Sequence, residues 1–307
     1  MSTRLFLSVL MAILVAGCAG PQADTEADGV EIEAAGPPTL EELKAATYGP
    51  FDGQTVTLVD GKWEGEPFVE GGASMPIVWL SEGIYLTGDL DDDMAPDAVV
   101  HLTYSTGGTG NFGYLAVMAR DTDGVLQKGL AEIGDRVGLR AARIDSGRVV
   151  LDVLQVGRED AMCCPSQLAR RAFTMQADEL VEVESEVLGV ASVETLNRTE
   201  WVLRRLSADE DAPSSPEVTI AFGEGMATGN GGCNDFTATV TQGDQPTDLV
   251  VGPVAATRME CDPDAMALEQ RVLDALGGVN GWGFQLGWLV LSYQRDDTWG
   301  ALFFEPR

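Results

Sequence analysis

The sequence predicts a mainly β protein: an N-terminal antiparallel β-rich module, then a second β-rich unit carrying one clear helix. Three observations predict it. Runs rich in Val, Ile, Leu and aromatic residues recur from Thr55 to about Val187, and again from Trp201 to the C-terminus. Turn signals such as Asp123-Gly124 and Ser146-Gly147 separate them. The connections are short and leave little room for crossover helices, which favours antiparallel pairing.

The chain opens with one charge, Arg4, and an apolar run from Leu5 to Ala16. That run is shorter than the roughly 20 residues of a bilayer span and matches the apolar region of an export signal. It leads into Val15-Ala16-Gly17-Cys18, which resembles a bacterial lipobox. Residues 1–17 are therefore expected to be a lipoprotein signal peptide, cleaved before Cys18, with diacylglycerol on the Cys18 thiol. The implied location is the cell envelope, with the membrane surface as a partner through the lipid anchor. The chain would face the periplasm or exterior, at the outer membrane in a diderm cell. Residues 18–38 are small, acidic and proline-bearing, the composition of a flexible tether. Thr39 with Glu42 three residues on forms a capping box, so a short helix follows with Leu43 and Ala46 on one face.

Within the module at 39–190, "TVTLVD", "PIVWLSEGIYLTG", "DAVVHLTYS", "FGYLAVMAR", "RVVLDVLQVG" and "RRAFTMQA" read as strands. Gly108, Gly110 and Gly113 spell a GxGxxG, but strand-like segments flank it on both sides. It reads as a hairpin turn and not a nucleotide site, which needs a strand before and a helix after. A thin boundary precedes the unit at 191–307. Its strands are Trp201 to Leu206, Val218 to Phe222, Thr237 to Thr241, Leu249 to Gly252, "GWLVLSYQ" and "WGALFFEP". Its helix is capped by Asp262, has Pro263 in its first turn and stops at Gly277. Leu268, Val272 and Leu276 line one face.

The 307 residues carry 49 acidic and 19 basic side chains, a net charge of −30. Phosphate binding needs a basic surface, so a nucleic-acid partner is excluded. A cationic or protein partner in the envelope fits this charge. His101 is the single histidine, which disfavours His-rich metal sites and a Ser-His-Asp triad. Carboxylates are abundant, so an extracytoplasmic carboxylate-dependent hydrolase in the N-terminal module stands as the alternative to a non-catalytic role.

With Cys18 lipidated, four cysteines remain: Cys163, Cys164, Cys233 and Cys261. In an exported chain they read first as disulfides, with three possible pairings. A bond between Cys163 and Cys164 would span α-carbons only about 3.8 Å apart, and would be strained and easily reduced. It would serve as a redox sensor, a rigid ligand-contacting turn or a stiff loop; a soft-metal thiolate pair is the remaining option. "GNGGCNDF", residues 229 to 236, sets a glycine-rich turn before Cys233. That turn alone fits chemistry, metal binding or structure equally.

"GDLDDDMAPDAVV" is the sharpest chemical signal. Asp89, Asp91, Asp93 and Asp97 fall at loop positions 1, 3, 5 and 9 between strands. Alternate acids in a tight loop turn oxygens inward, as Ca²⁺ requires. The spacing resembles the calcium loops of FG-GAP and integrin-type repeats. Met94, however, stands where such loops carry a turn-forming glycine, and Val100 replaces the closing Glu of an EF-hand.

The C-terminal third resembles a known family. Gly232, Cys233, Asn234 and Phe236 match a Gly-Cys-Asn-x-Phe turn; Thr257, Met259 and Cys261 match Thr-x-Met-x-Cys; and Glu269 sits on the following helix. With a Trp-Val-Leu start at Trp201 and the closing strands, this is similar to the META domain, also called the HslJ family, over roughly residues 195 to 307. The resemblance implies a compact, mostly antiparallel β-barrel-like domain with one packed helix. It also implies an envelope lipoprotein setting, linked to envelope stress, with no established catalytic residue. The family spacing and the oxidising compartment together imply a Cys233–Cys261 disulfide. The only histidine lies in the other module, so a nucleophilic role for Cys233 lacks its base.

Overall fold

The computed structural model describes residues 36–161 and 164–307. The expected signal peptide, Cys18, most of the tether and Cys163 lie outside the described residues. Among those described, no helix is long and apolar enough to cross a membrane. The last tether residues are tied down: Arg120 Nε donates to the Gly36 carbonyl at 3.2 Å and the Tyr85 hydroxyl to that of Pro38 at 3.0 Å.

Helix α1 (Leu40–Leu43) begins as its capping box requires. The Glu42 carboxylate accepts the Thr39 backbone N–H at 2.8 Å, and the Thr39 hydroxyl accepts that of Glu42. Strands β1 (Thr47–Phe51) and β2 (Gln54–Thr57) form a hairpin beside it. Then β3 (Lys62–Glu64), β4 (Ile77–Gly88), β5 (Asp97–Ser105), β6 (Asn111–Asp121) and β7 (Gly124–Asp135) build a five-stranded antiparallel sheet in chain order. A four-stranded antiparallel sheet follows, from β8 (Gly138–Asp145), β9 (Arg148–Gln155), β10 (Gln167–Gln176) and β11 (Glu179–Val190).

Strand β5 is apolar on both faces because both are covered. Alternation sends Ala98, Val100 and Leu102 toward Tyr48, Phe51 and Val56. It sends Val99, with Leu115 and Val117 of β6, against Leu151, Val153 and Phe173 of the four-stranded sheet. The N-terminal module is thus a β-sandwich with a helix–hairpin cover on its outer face.

A 3₁₀ turn at Val193–Leu196 leads into the C-terminal domain. Its elements are β12 (Glu200–Ser207), β13 (Glu210–Asp211), β14 (Thr219–Gly223), β15 (Met226–Asn230), β16 (Asp235–Gln242), β17 (Leu249–Val251) and β18 (Ala255–Ala256). Helix α2 (Pro263–Leu276), β19 (Val279–Gln285), β20 (Trp288–Arg295) and β21 (Thr298–Pro306) complete it. The strand order β17-β16-β15-β14-β12-β21-β20-β19 curls until its ends meet. There the Trp282 backbone N–H donates to the Thr247 carbonyl at 2.9 Å, and Asp248 bridges to Gly281. The result is a nearly closed, barrel-like sheet. Asp262 caps α2 by accepting the Asp264 and Ala265 N–H groups, and Leu268, Val272 and Leu276 are buried against Trp201, Phe236 and Phe304.

The described residues form one compact unit, so the sandwich and the barrel share a seam. The β19–β20 turn, Leu286-Gly287, makes it. The Gly287 N–H donates to the Leu139 carbonyl at 2.9 Å, and Leu286 packs against the apolar cluster between the two N-terminal sheets. The Arg140 guanidinium lies 5.6 Å from the Phe284 ring centre.

Candidate functional site

The Cys-Asn turn is a closed network. Cys233 and Cys261 are bonded, closing a separation of 28 residues. Asn234 is 4 % exposed. Its Oδ1 accepts the Met259 N–H at 2.6 Å and the Thr257 hydroxyl at 2.8 Å. Its Nδ2 reaches Glu269 Oε1 at 3.1 Å, and its backbone N–H donates to Glu269 Oε2. One amide thereby binds three segments: the turn, the 257–259 stretch and α2. Gly231 is required there because a Cβ would lie 2.9 Å from Glu269 Cγ, while Gly232 holds φ +104. Asn234, Thr257, Glu269 and the Met259 backbone are thus tied together beside the Cys233–Cys261 bond, while Phe236 packs into the barrel core.

The aspartate loop, between β4 and β5, brings three of its four expected ligands together. Carboxylate oxygens of Asp89, Asp91 and Asp97 lie within 4.8 Å of one another. Asp93 is not among them; its Oδ1 accepts the Ala95 N–H at 2.8 Å. Met94 adopts φ +69, so the left-handed turn that glycine would supply forms without it. Asp97 is buried and accepts the Leu90 N–H at 3.0 Å. Burial, reinforced by Asp91 and Asp93, pushes its carboxyl up to about 6, against the pull of Leu90 and Lys128. Lys128 Nζ sits 3.1 Å from Asp91 and occupies part of the charge a cation would meet. The all-oxygen donor set fits a hard cation, and three carboxylates would leave further positions to carbonyls and water.

Cys164 is disulfide-bonded. Its loop is braced by Asp160, which accepts the Gly157 N–H at 2.7 Å and both the N–H and hydroxyl of Ser166 at 2.8 Å. The expected pairing with Cys163 lies outside the described residues.

Sequence reasoning missed the seam. A cleft of about 820 Å³ opens there between the five-stranded sheet and the β19–β20 hairpin, with Trp79 and His101 on one wall and Trp288 on the other. The available signal was polar: Ser81, His101 and Thr103 occupy strand positions that alternation turns toward the inner face.

The match to a family model agrees with the C-terminal reading. The META domain model matches residues 194–303. An NMR structure of a protein from Burkholderia xenovorans is similar at 25% identity, over 38% of this chain and 86% of that one, with a TM-score of 0.31. No curated protein matches the chain. The C-terminal third of the chain, residues 194–303, is a META domain.

Proposed function

We propose that the chain is a non-catalytic lipoprotein of the bacterial cell envelope, held to the membrane through Cys18, with a binding or structural role in the envelope-stress setting its META domain suggests. The observation that carries the non-catalytic reading is the closure of Asn234 onto Glu269, Thr257 and Met259. A carboxylate and an amide that satisfy each other inside a disulfide-braced turn hold a loop in place. The lipobox at Val15–Cys18 supplies the anchor. Calcium at Asp89, Asp91 and Asp97 would be a structural ligand in this reading, pinning the β4–β5 loop.

One observation favours a second reading, a carboxylate-dependent hydrolase in the N-terminal module: the buried Asp97 carboxyl, drawn up to about 6, lies beside Asp91. Fractionation of cells expressing the wild-type chain and Cys18→Ser tests the envelope reading. The wild type should partition with membranes and the variant should be released to the soluble fraction. Equal partitioning of the two would overturn the anchor.

A further inference from the structure

The face of the five-stranded sheet that meets the seam changes character along its strands. Under the four-stranded sheet it is apolar, with Val99, Leu115 and Val117 fully buried. Two residues further along the same alternation it presents Trp79, Ser81, His101, Thr103 and Asn111, which line the cleft. These are neighbours across the sheet: Trp79 pairs with Thr103, Ser81 with His101 and Ser105 with Asn111. A wall that only had to pack against the barrel would continue the apolar pattern.

His101 is 7 % exposed, and its Nδ1 lies 3.0 Å from the Ser81 hydroxyl. Its Nε2 has no hydrogen-bond partner among the described residues. Among the described residues the fully buried side-chain nitrogens without partners are the indole nitrogens of Trp201 and Trp282; the His101 Nε2 is not one of them, and His101 lines the cleft. Gly113, also on this wall, keeps that edge clear, since a Cβ there would lie 3.0 Å from Nε2. Burial lowers the imidazole to about 4, so it meets a ligand uncharged.

The opposite wall is aromatic. Phe284, Trp288 and Phe303 line it, and the Arg205 guanidinium lies 5.7 Å from the Trp288 ring centre. Every charge on the lining has an opposite partner close by. Arg205 pairs with Asp211 at 3.2 Å, Arg136 with Asp135 at 2.8 Å and Glu82 with Lys44 at 2.8 Å. The cleft is therefore balanced in charge within a chain of net charge −30, which disfavours anions at long range. Its volume falls inside the usual range for small-molecule sites.

We propose that this cleft binds an uncharged, polyhydroxylated ligand, a short neutral oligosaccharide segment, between Trp79 and the Trp288 wall. Flat aromatic faces contact the C–H faces of the sugar rings. Thr103, Asn111, Gln285 and the free edge of His101 supply directional hydrogen bonds without net charge. The proposal goes beyond the envelope reading and does not rest on the anchor.

The test is a tryptophan-fluorescence and calorimetric titration of the full chain, purified in detergent, with chitotriose, cellotriose, maltotriose and xylotriose, and with citrate as an anionic control. At least one neutral trisaccharide should bind saturably and citrate should not. Trp79→Ala should weaken binding at least tenfold and Thr103→Val several-fold, while the melting temperature of Thr103→Val stays within a few degrees of the wild type. Absence of binding by all four sugars, preference for citrate, or affinity unchanged in well-folded Thr103→Val and Trp79→Phe/Thr103→Val chains would overturn it.

Discussion

Leu286 packs against Gly83 where the C-terminal hairpin meets the N-terminal sheet: a methyl group on Gly83 would lie 3.0 Å from the Leu286 Cβ. Leu286 holds φ +52, a conformation that costs an L-residue roughly 1–2 kcal/mol. Packing into the sandwich cluster offsets that cost. Gly83 sits where the β4–β5 register shifts, between Ser81 and Tyr85, so the sheet bends to receive the side chain. Gly83→Val should destabilise the protein by about 1–3 kcal/mol. In a Leu286→Ala background the same change should cost much less, a coupling that a double-mutant cycle by urea denaturation reads directly.

The signature turn should be structural in proportion to its partners. Asn234→Ala leaves the Met259 N–H without its acceptor and should cost about 2–3 kcal/mol. Replacing both Cys233 and Cys261 by Ala should cost roughly 3–4 kcal/mol while β content is retained. Chemical denaturation followed by circular dichroism checks both. A fully stable Asn234→Ala protein would mean the network is idle.

Calcium at millimolar concentration should raise the melting temperature, because a ligand bound only by the folded form adds about 2.7 kcal/mol at a hundredfold excess over Kd. The structure sharpens which aspartates matter. Asp89→Asn or Asp91→Asn should abolish the gain, whereas Asp93→Ala should keep most of it, since Asp93 is outside the converging set. Magnesium should substitute poorly, as it demands a smaller, stricter octahedron. No shift beyond a salt control would make the loop a solvated turn.

Two carboxyls should shape the acid limb of stability in opposite directions. Glu42 accepts a paired contact from Arg120 at 2.7 and 2.5 Å, which with the Thr39 N–H holds its carboxyl down to about 2. Its folded value lies below the ordinary 4.5, so its contribution is present above that pH and is lost as pH falls toward 2. The pair is partly exposed, and solvent screening keeps the loss small. Asp97 acts the other way. Its folded value of about 6 lies above 3.8, so its contribution is complete below 3.8 and is lost as pH rises through 6. In calcium-free buffer, Asp97→Asn should remove the decline between pH 4 and 6, and Glu42→Gln should flatten the loss below pH 4.5. Melting curves across pH 2–7 test both slopes.

In the two larger N-terminal sheets the central strands were legible and the edges were not. The runs named there from sequence are β4, β5, β6, β9 and β10, whose neighbours on both sides enforce an apolar pattern; the remaining named run, "TVTLVD", is β2 of the two-stranded hairpin. Those passed over, β3, β7, β8 and β11, are the edge strands of the two N-terminal sheets. β11 shows why: Glu182, Ser185 and Glu186 are exposed on a strand with one partner, so alternation is diluted by charge. The helix α2 was legible from its cap and face, because local chemistry sets both. The seam was not, since Leu286 and Gly83 are distant in sequence and no local period joins them. In the aspartate loop, spacing identified the converging oxygens of Asp89, Asp91 and Asp97 but could not reveal that Asp93 turns to its own backbone neighbour.

The most direct test of the envelope account is the intact mass of the chain extracted from membranes of an expressing bacterium. The account predicts a mature chain beginning at Cys18 and carrying the added mass of diacylglycerol on its thiol. A chain that begins elsewhere, or one with an unmodified Cys18, would contradict it.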